Sequence, residues 1–547
     1  MKFNKALLAL AASSLLAACG GGGDGIAGVS GGNNDGNNNG GDNTATCVDT
    51  FTETPPALIG GVMQSTISGR ACENVVLSSG IRYILGGNVF IGGGDRMLEA
   101  GDIVDPVILS VLPGADIRGI PGTSIIVTRG SRIEANGTRD NPITFSSEDD
   151  GFDGQQEWGG IVVQGFAPQT APVNGGGLCS SNGATCNVQG EGGDFIGFYG
   201  GTNGADNSGT FRYVRIAEGG APTADPGNEI NGLTLQGVGY GTTVEFVQVH
   251  NNRDDGIEWF GGTVNAKYLV LTNNDDDDID FDEGYIGNIQ HALVIKDQVA
   301  TDPVGSNDPR GIEANSDGTG SVSATEASIS NVTIIGGTAS GGQDALRLRG
   351  GVTVNLYNSV LDNYQDCLRA EDGEAFDTSD PMNIVRSVIA PTVVNLNNVL
   401  GDCFRNYVSQ NDTDVTIGGM EVQAVPTEPS DDGTTFTNSG DVDGDGNPIT
   451  EEGGVVTGAP SGGITLTASF AAMDPVASLA TPVAPTPVGS SGFTFDLTDY
   501  AGAVDPDLVF DPMNPGPVDG TGAGVWWAVW TLPGTVDVSA LNDNTDN

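Results

Sequence analysis

The sequence predicts an all-β chain wound as a parallel β-helix, a solenoid with a Trp-rich C-terminal cap, and three observations carry that prediction. Five segments share the form charged-x-aliphatic-charged-apolar: Asp255-Gly-Ile257-Glu-Trp259, Asp277-Asp-Ile279-Asp-Phe281, Arg310-Gly-Ile312-Glu-Ala314, Asp344-Ala-Leu346-Arg-Leu348 and Asp366-Cys-Leu368-Arg-Ala370. Their aliphatic members step by 22, 33, 34 and 22 residues, so the longer steps read as the same rung carrying 11 or 12 inserted loop residues. A second set of strand-like runs keeps pace with them, among them Val244-Glu-Phe-Val-Gln-Val249, Ala266-Lys-Tyr-Leu-Val-Leu271 and Gln290-His-Ala-Leu-Val-Ile295, each followed by polar turn residues. Finally, 86 glycines and 6% aromatic residues suit short strands joined by Gly, Asn and Asp turns better than packed helices.

Taken in chain order, residues 1–18 read as a signal peptide. Lys2 and Lys5 precede an apolar run over residues 6–16, which is too short to cross a bilayer as a helix. The run ends in Leu16-Ala17-Ala18-Cys19-Gly20. This string resembles the lipobox of bacterial lipoproteins, which implies lipidation of Cys19 and, with Gly20 rather than Asp after it, an outer-membrane anchor on the periplasmic face or at the cell surface. Residues 19–46 then read as the lipidated cysteine and a Gly/Asn linker, with too few apolar side chains to offset the entropy of ordering.

Residues 47–420 are the expected β-helix, with coils from about residue 75. Within each repeat, apolar positions alternate with charged ones, as in a strand with one buried face. A leucine-rich repeat would show a Leu/Asn signature, and a propeller would need about 40 residues per blade with Trp-Asp endings; neither pattern is present. Upstream stand Asn141-Pro-Ile-Thr-Phe145, Trp158-Gly-Gly-Ile161 and Asp254-Asp-Gly-Ile-Glu-Trp-Phe-Gly-Gly262. These motifs resemble the pectin-lyase-like β-helix proteins of bacterial surfaces, and a lipoprotein group within them, over residues of about 80 to 410. The resemblance implies right-handed winding of the coils and brings no activity with it.

Residues 421–465 are a Pro/Thr/Asp-rich loop containing Asp441-Val-Asp443-Gly-Asp445-Gly446-Asn447-Pro-Ile-Thr-Glu-Glu452. The string fits a D-x-D-x-D-G-x5-E calcium loop, with Asp441, Asp443, Asp445, Asn447 and Glu452 as ligands. Pro448 and non-helical flanks argue against a regulatory helix-loop-helix hand. Residues 466–547 form the expected cap and tail. Here Val525-Trp-Trp-Ala-Val-Trp530 is a strand expected to cover the last coil, the alternative being a carbohydrate platform.

The charge is −51, from 71 acidic and 20 basic residues. Nucleic acid is a poor partner, since phosphate contacts need a basic face; divalent cations suit such a field. Of seven cysteines, assigning Cys19 to lipid leaves six. Nearness pairs Cys47 with Cys72, Cys179 with Cys186 and Cys367 with Cys403, in an oxidising compartment. CxxC spacing is missing and His250 and His291 are the only histidines, so disulfides are preferred to a zinc site.

Stacking about 4.8 Å apart turns the repeat into columns: Asp255, Asp277, Arg310, Asp344 and Asp366 in one, Glu258, Asp280, Glu313, Arg347 and Arg369 in the next. Adjacent like charges are destabilising, so either arginines or a cation must relieve them. A second calcium site is accordingly expected at Asp255, Asp277 and Asp280; otherwise these are solvated turn carboxylates. For an enzyme, Asp254, Asp255, Asp277 and Asp278 resemble the aspartate cluster of polygalacturonase-like β-helices. The histidine-glycine and Arg-x-Lys elements of that family have no match. A lyase would need Arg310, Arg347 or Lys296 as base. The expected function is therefore a calcium-stabilised binding or adhesion protein for glycans or surface partners, anchored to the membrane by lipid; the alternative is a polysaccharide lyase or glycoside hydrolase.

Overall fold

The computed structural model describes residues 47–170, 186–192, 195–222, 230–296, 309–316, 325–337, 343–362, 364–371, 392–403, 408–410, 415–417, 420–422, 483–498, 500–503, 526–527, 529–533 and 535–536. Cys19, Cys179 and the calcium-loop residues Asp441, Asp443, Asp445, Asn447 and Glu452 lie outside them. Among the described residues there is no helix. The chain winds as a right-handed parallel β-helix, each strand pairing in parallel with its equivalent one coil on.

One face is a column of short strands: Ile125–Val127, Ile161–Gln164, Leu233–Gln236, Ile257–Phe260, Ile279–Asp282, Ile312–Asn315 and Leu346–Arg349, continued by Arg369–Glu371. Their register matches the repeat residue for residue. Ile257 pairs with Ile279, Ile279 with Ile312 and Ile312 with Leu346, and Leu368 follows, with the Leu346 amide bonded to the Cys367 carbonyl. All five are at most 1% exposed. They form an aliphatic stack inside the coils, with Trp259, Phe281, Ala314 and Leu348 in the next inward column.

The other two faces come from longer strands that bend once: Gly209–Ala217, Thr243–His250, Ala266–Thr272, Ile286–Ile295, Glu326–Ile335 and Thr353–Asp362. Each bend falls on a residue with positive φ, namely Tyr213, Phe246, Tyr268, His291, Asn331 and Asn358. A left-handed residue turns the chain without adding a loop, and for side chains this large it is uncommon. These six project outward as a second ladder. Tyr213 stacks on Phe246 at 4.5 Å, Phe246 on Tyr268 at 4.5 Å and Tyr268 on His291 at 4.8 Å.

That ladder corrects the expected position of the Trp-rich segment. Trp530 meets Tyr213 and Phe246 edge-on, and Trp526 meets Tyr268, so the segment lies along the flank of middle coils rather than across the last one. The aromatic bend offers an apolar seat there, and Gln248 secures it by accepting from the Leu532 amide at 2.7 Å and donating to Thr535 Oγ1 at 2.8 Å. Trp527 and Trp530 are 1% and 0% exposed, which removes the carbohydrate-platform alternative for both. Residues 483–498 and 500–503 follow the same ladder further along, with the Val483 amide bonded to Asn358 and the Ala503 amide to Thr333.

At the N-terminal end Thr52–Glu53 and Ala57–Ile59 pair antiparallel with Val62–Ala71 and cover the outer edge of the first coil. Cys47 bonds to Cys72 and Cys367 to Cys403, two of the three expected pairs; Cys186 is also disulfide-bonded.

Candidate metal centre

The sharpest accumulation of chemistry lies on the short-strand face and the turn before it. Outward side chains of the short strands stack as Thr234, Glu258, Asp280, Glu313, Arg347 and Arg369, each in register with the next. The preceding turn supplies a second row, held by a recurring bond. Asn231 Oδ1 accepts from the Asp255 amide, Asp255 Oδ1 from the Asp277 amide, and Asp277 Oδ1 from the Arg310 amide. A short side-chain oxygen is what this position requires, because it caps the backbone N–H of the coil below.

The column changes character along the rod. From Glu313 onward, arginines neutralise it. Arg310 contacts Glu313 at 2.5 Å and Asp277 at 3.7 Å, Arg349 contacts Glu313 at 2.5 Å, and Arg369 joins Asp344 at 2.6 Å and Asp366 at 3.1 Å. Although burial acts to raise it, Arg310 and Arg349 hold the Glu313 carboxyl below its ordinary range. The expected relief by inserted arginine therefore operates in this half.

Between Asn231 and Asp280 it is incomplete: Arg349 draws the Asp280 carboxyl down, but burial and Glu313 outweigh it. Among the described residues, no lysine or arginine forms an ion pair with Asp255, Glu258 or Asp280. Oxygens of Asp255, Glu258 and Asp280 lie within 4.8 Å of one another, as do those of Asp254, Asp255 and Asp276, so two three-carboxylate groups share Asp255. Asp255 and Glu258 are 5% and 6% exposed, which corrects the expectation of solvated turn carboxylates. Burial, then repulsion from Asp280, raises the Asp255 carboxyl well above its ordinary value. Burial, then Glu191, does the same to Glu258; burial, then Glu313, to Asp280.

Two of the expected ligands and acids stand elsewhere. Asp277 belongs to neither group: its Oδ1 takes the Arg310 amide and its Oδ2 faces the Arg310 guanidinium, so Glu258 fills the place expected for it beside Asp255 and Asp280. Asp278, 0% exposed, pairs with Lys296 at 2.9 Å and accepts from Asn274 Nδ2 at 2.9 Å. It is a structural ion pair rather than a general acid. Of the four aspartates considered for hydrolysis, only Asp254 and Asp255 share one oxygen cluster.

Three contributors escaped the sequence reading. Asn231 donates from Nδ2 to both Glu258 and Glu191; an Asx residue one rung above Asp255 is the signal that could have found it. Glu191 comes from a separate excursion that includes residues 186–192 and 195–200. That excursion is fixed by buried Arg129, which donates to the carbonyls of Gly94 and Cys186 at 2.8 and 2.5 Å, its guanidinium pushed down to about 9 by burial. Thr234 stands above Glu258, and its buried hydroxyl has no hydrogen-bond partner; Asp280 Oδ1 also lacks one. These partnerless buried oxygens, in an all-oxygen donor set, fit a hard divalent cation such as calcium rather than zinc. Both histidines are engaged elsewhere: His250 bonds Thr272 Oγ1 at 2.8 Å and His291 sits in the flank ladder.

Residues 69–437 match the family model of the pectate-lyase-like β-helix domain. The match spans more than half of the chain, and the chain belongs to that family. Neither the curated proteins nor the solved structures provide a match.

Proposed function

We propose that this is a lipid-anchored β-helix protein of the outer membrane that binds glycans or neighbouring surface molecules, with calcium held by Asp255, Glu258 and Asp280 under Thr234. The observation that carries the reading is a like-charged trio, Asp255 and Glu258 buried and Asp280 partly so, with which no lysine or arginine among the described residues forms an ion pair. Bringing such carboxylates together is costly unless protons or a cation compensate, and a hard cation with part of its coordination open to water is a natural seat for sugar hydroxyls or carboxylates. Asp254 and Asp276, partly exposed beside Asp255, would form the rim. The loop with Asp441, Asp443, Asp445, Asn447 and Glu452 would add a second calcium site.

Binding is favoured over catalysis by where the bases are. Of the three candidates for proton abstraction from a uronate, Lys296 and Arg310 are 2% and 4% exposed and bound to Asp278 and to Asp277 with Glu313, and Arg347 alone is partly exposed. Calorimetric calcium titration of the wild type and of Glu258→Gln/Asp280→Asn tests the centre: loss of one class of site in the variant is expected, and no calcium heat in the wild type would dismiss it. Incubation with uronate and neutral polysaccharides tests the rest. Retention on a glycan array that chelator abolishes is expected, whereas new unsaturated or reducing ends would establish the lyase or hydrolase alternative.

A further inference from the structure

The N-terminal edge of the rod carries a hairpin whose apolar side chains stand in the open. Ala57–Ile59 and the start of Val62–Ala71 pair antiparallel through Gly60 and Gly61, both at positive φ, the two-residue turn in which glycine relieves the strain. Leu58 faces Met63 and Ile59 faces Val62 across the hairpin. Successive pairs point to opposite faces, so both faces are apolar at the tip. All four are exposed: Leu58 70%, Ile59 55%, Val62 39% and Met63 38%. A hairpin packed on a core would bury one face. This tip buries neither.

The tip is uncharged as well. No ionisable residue occurs between Glu53 and Arg70, in a chain of net charge −51. An acidic body is repelled by anionic membrane surfaces, and an uncharged apolar finger is the part of it that can enter one. The chain supplies the geometry. Cys47, disulfide-bonded to Cys72, and Thr52–Glu53, paired with Val62–Ala71, place the entry of the chain beside the hairpin. Cys19 precedes Cys47 by a run of 27 Gly/Asn-rich residues.

We infer that the 57–63 hairpin dips into the headgroup–acyl boundary of the same bilayer that holds the acyl chains on Cys19, giving the rod a second point of attachment. This rests on the lipoprotein reading. Several acyl chains already anchor stably; a second contact fixes which end of the rod meets the membrane.

The test uses the full lipidated chain carrying Leu58→Trp, reconstituted in phosphatidylcholine vesicles with brominated acyl chains. The Trp emission added over wild type is expected to fall by half or more relative to unbrominated vesicles. In parallel, the full-length Cys19→Ser chain is floated with phosphatidylcholine vesicles; it is expected to co-float, with a tenfold or greater loss on adding Leu58→Asp/Met63→Asp. An unquenched Trp in a chain whose N-terminal peptide shows the acyl mass overturns the inference while leaving the lipoprotein reading intact. An N-terminal peptide without acyl mass overturns the lipoprotein reading, and the hairpin then stands or falls on flotation of the Cys19→Ser chain. Concentration-dependent dimerisation abolished by Leu58→Asp/Met63→Asp, without flotation, assigns the tip to a second copy of the chain and also overturns the inference.

Discussion

Replacing Lys296 by Met removes one charge from a pair that solvent does not reach. The Lys296 and Asp278 side chains are 3% and 0% exposed, with Nζ 2.9 Å from Asp278 Oδ2. Nζ also donates to the Asn274 carbonyl at 3.0 Å and to that of Asp276. Methionine fills much the same space, so the loss is electrostatic: a buried carboxylate left with Asn274 Nδ2 as its remaining side-chain donor. Stranding one member of a buried pair costs about 3–5 kcal/mol. Unfolding entropy of about 2.1 cal/mol/K per residue, over the coil region 69–437, makes that a fall in Tm of about 4–6 °C by calorimetry at neutral pH. The pH dependence separates this cause from a packing defect. Burial already raises the Asp278 carboxyl, with Lys296 opposing it; without the lysine it rises further. A carboxyl raised in the folded state contributes stability that is full below its unfolded value and is lost as pH rises through the folded value. The deficit of Lys296→Met should therefore shrink as pH falls towards 4. Lys296→Met/Asp278→Asn should recover most of it at neutral pH, because removing both charges removes the desolvation problem. A deficit equal at every pH, or a double variant no better than the single, would refute the reasoning.

Three further outcomes follow from the same structure. With Asp255, Glu258, Asp277 and Asp280 all raised, the chelated protein should become more stable as pH falls from 8 towards 4, and calcium at a hundredfold over Kd should add about 2.7 kcal/mol at neutral pH and flatten the slope; an unchanged slope in scanning calorimetry counts against the metal. Leu346→Ala, at a 0% exposed rung between Ile312 and Leu368, should lose about 2–5 kcal/mol in denaturant unfolding, and a loss under 1 kcal/mol would show that the coils are not packed there. Trp530→Ala should raise hydrogen exchange over 526–536 while leaving 483–498 protected through the separate bonds of Gln290 with Asp496 and of Asn288 with Val488; simultaneous loss of both would mean that the flank segment docks as one unit.

The aliphatic stack could be read from sequence because a solenoid repeats one local solution. Once Ile257 and Ile279 are known to face inward 22 residues apart, Ile312, Leu346 and Leu368 must stack under them, whatever loops intervene. The bends were hidden for the opposite reason. Their left-handed positions are filled by Tyr213, Phe246, Tyr268 and His291, side chains that signal strand rather than turn, and so the seat of the Trp segment could not be foreseen. Lys296 was equally opaque. It lies just past Ile286–Ile295, a strand of the bent faces, and reaches back to Asp278 on the turn before a short strand; no spacing within the repeat connects them.

Charge neutralisation along the column then explains why the candidate metal centre sits at Glu258 and Asp280 rather than elsewhere on the same face. Strand stacking forces equivalent side chains together whether or not they are compatible. Where the rung carries Arg347 and Arg369, the sequence itself brings the opposite charge into register with Glu313. On the three rungs before Glu313, Thr234, Glu258 and Asp280 are stacked with no basic residue among them, and Glu191 is folded over from outside to make the imbalance worse. Exchanging one of these acids for a neutral side chain would remove the repulsion at no loss to the aliphatic stack behind it, since Ile257 and Ile279 face the other way. That concentrated conflict, beside an unbonded Thr234 hydroxyl, is the ground on which the proposed calcium centre rests.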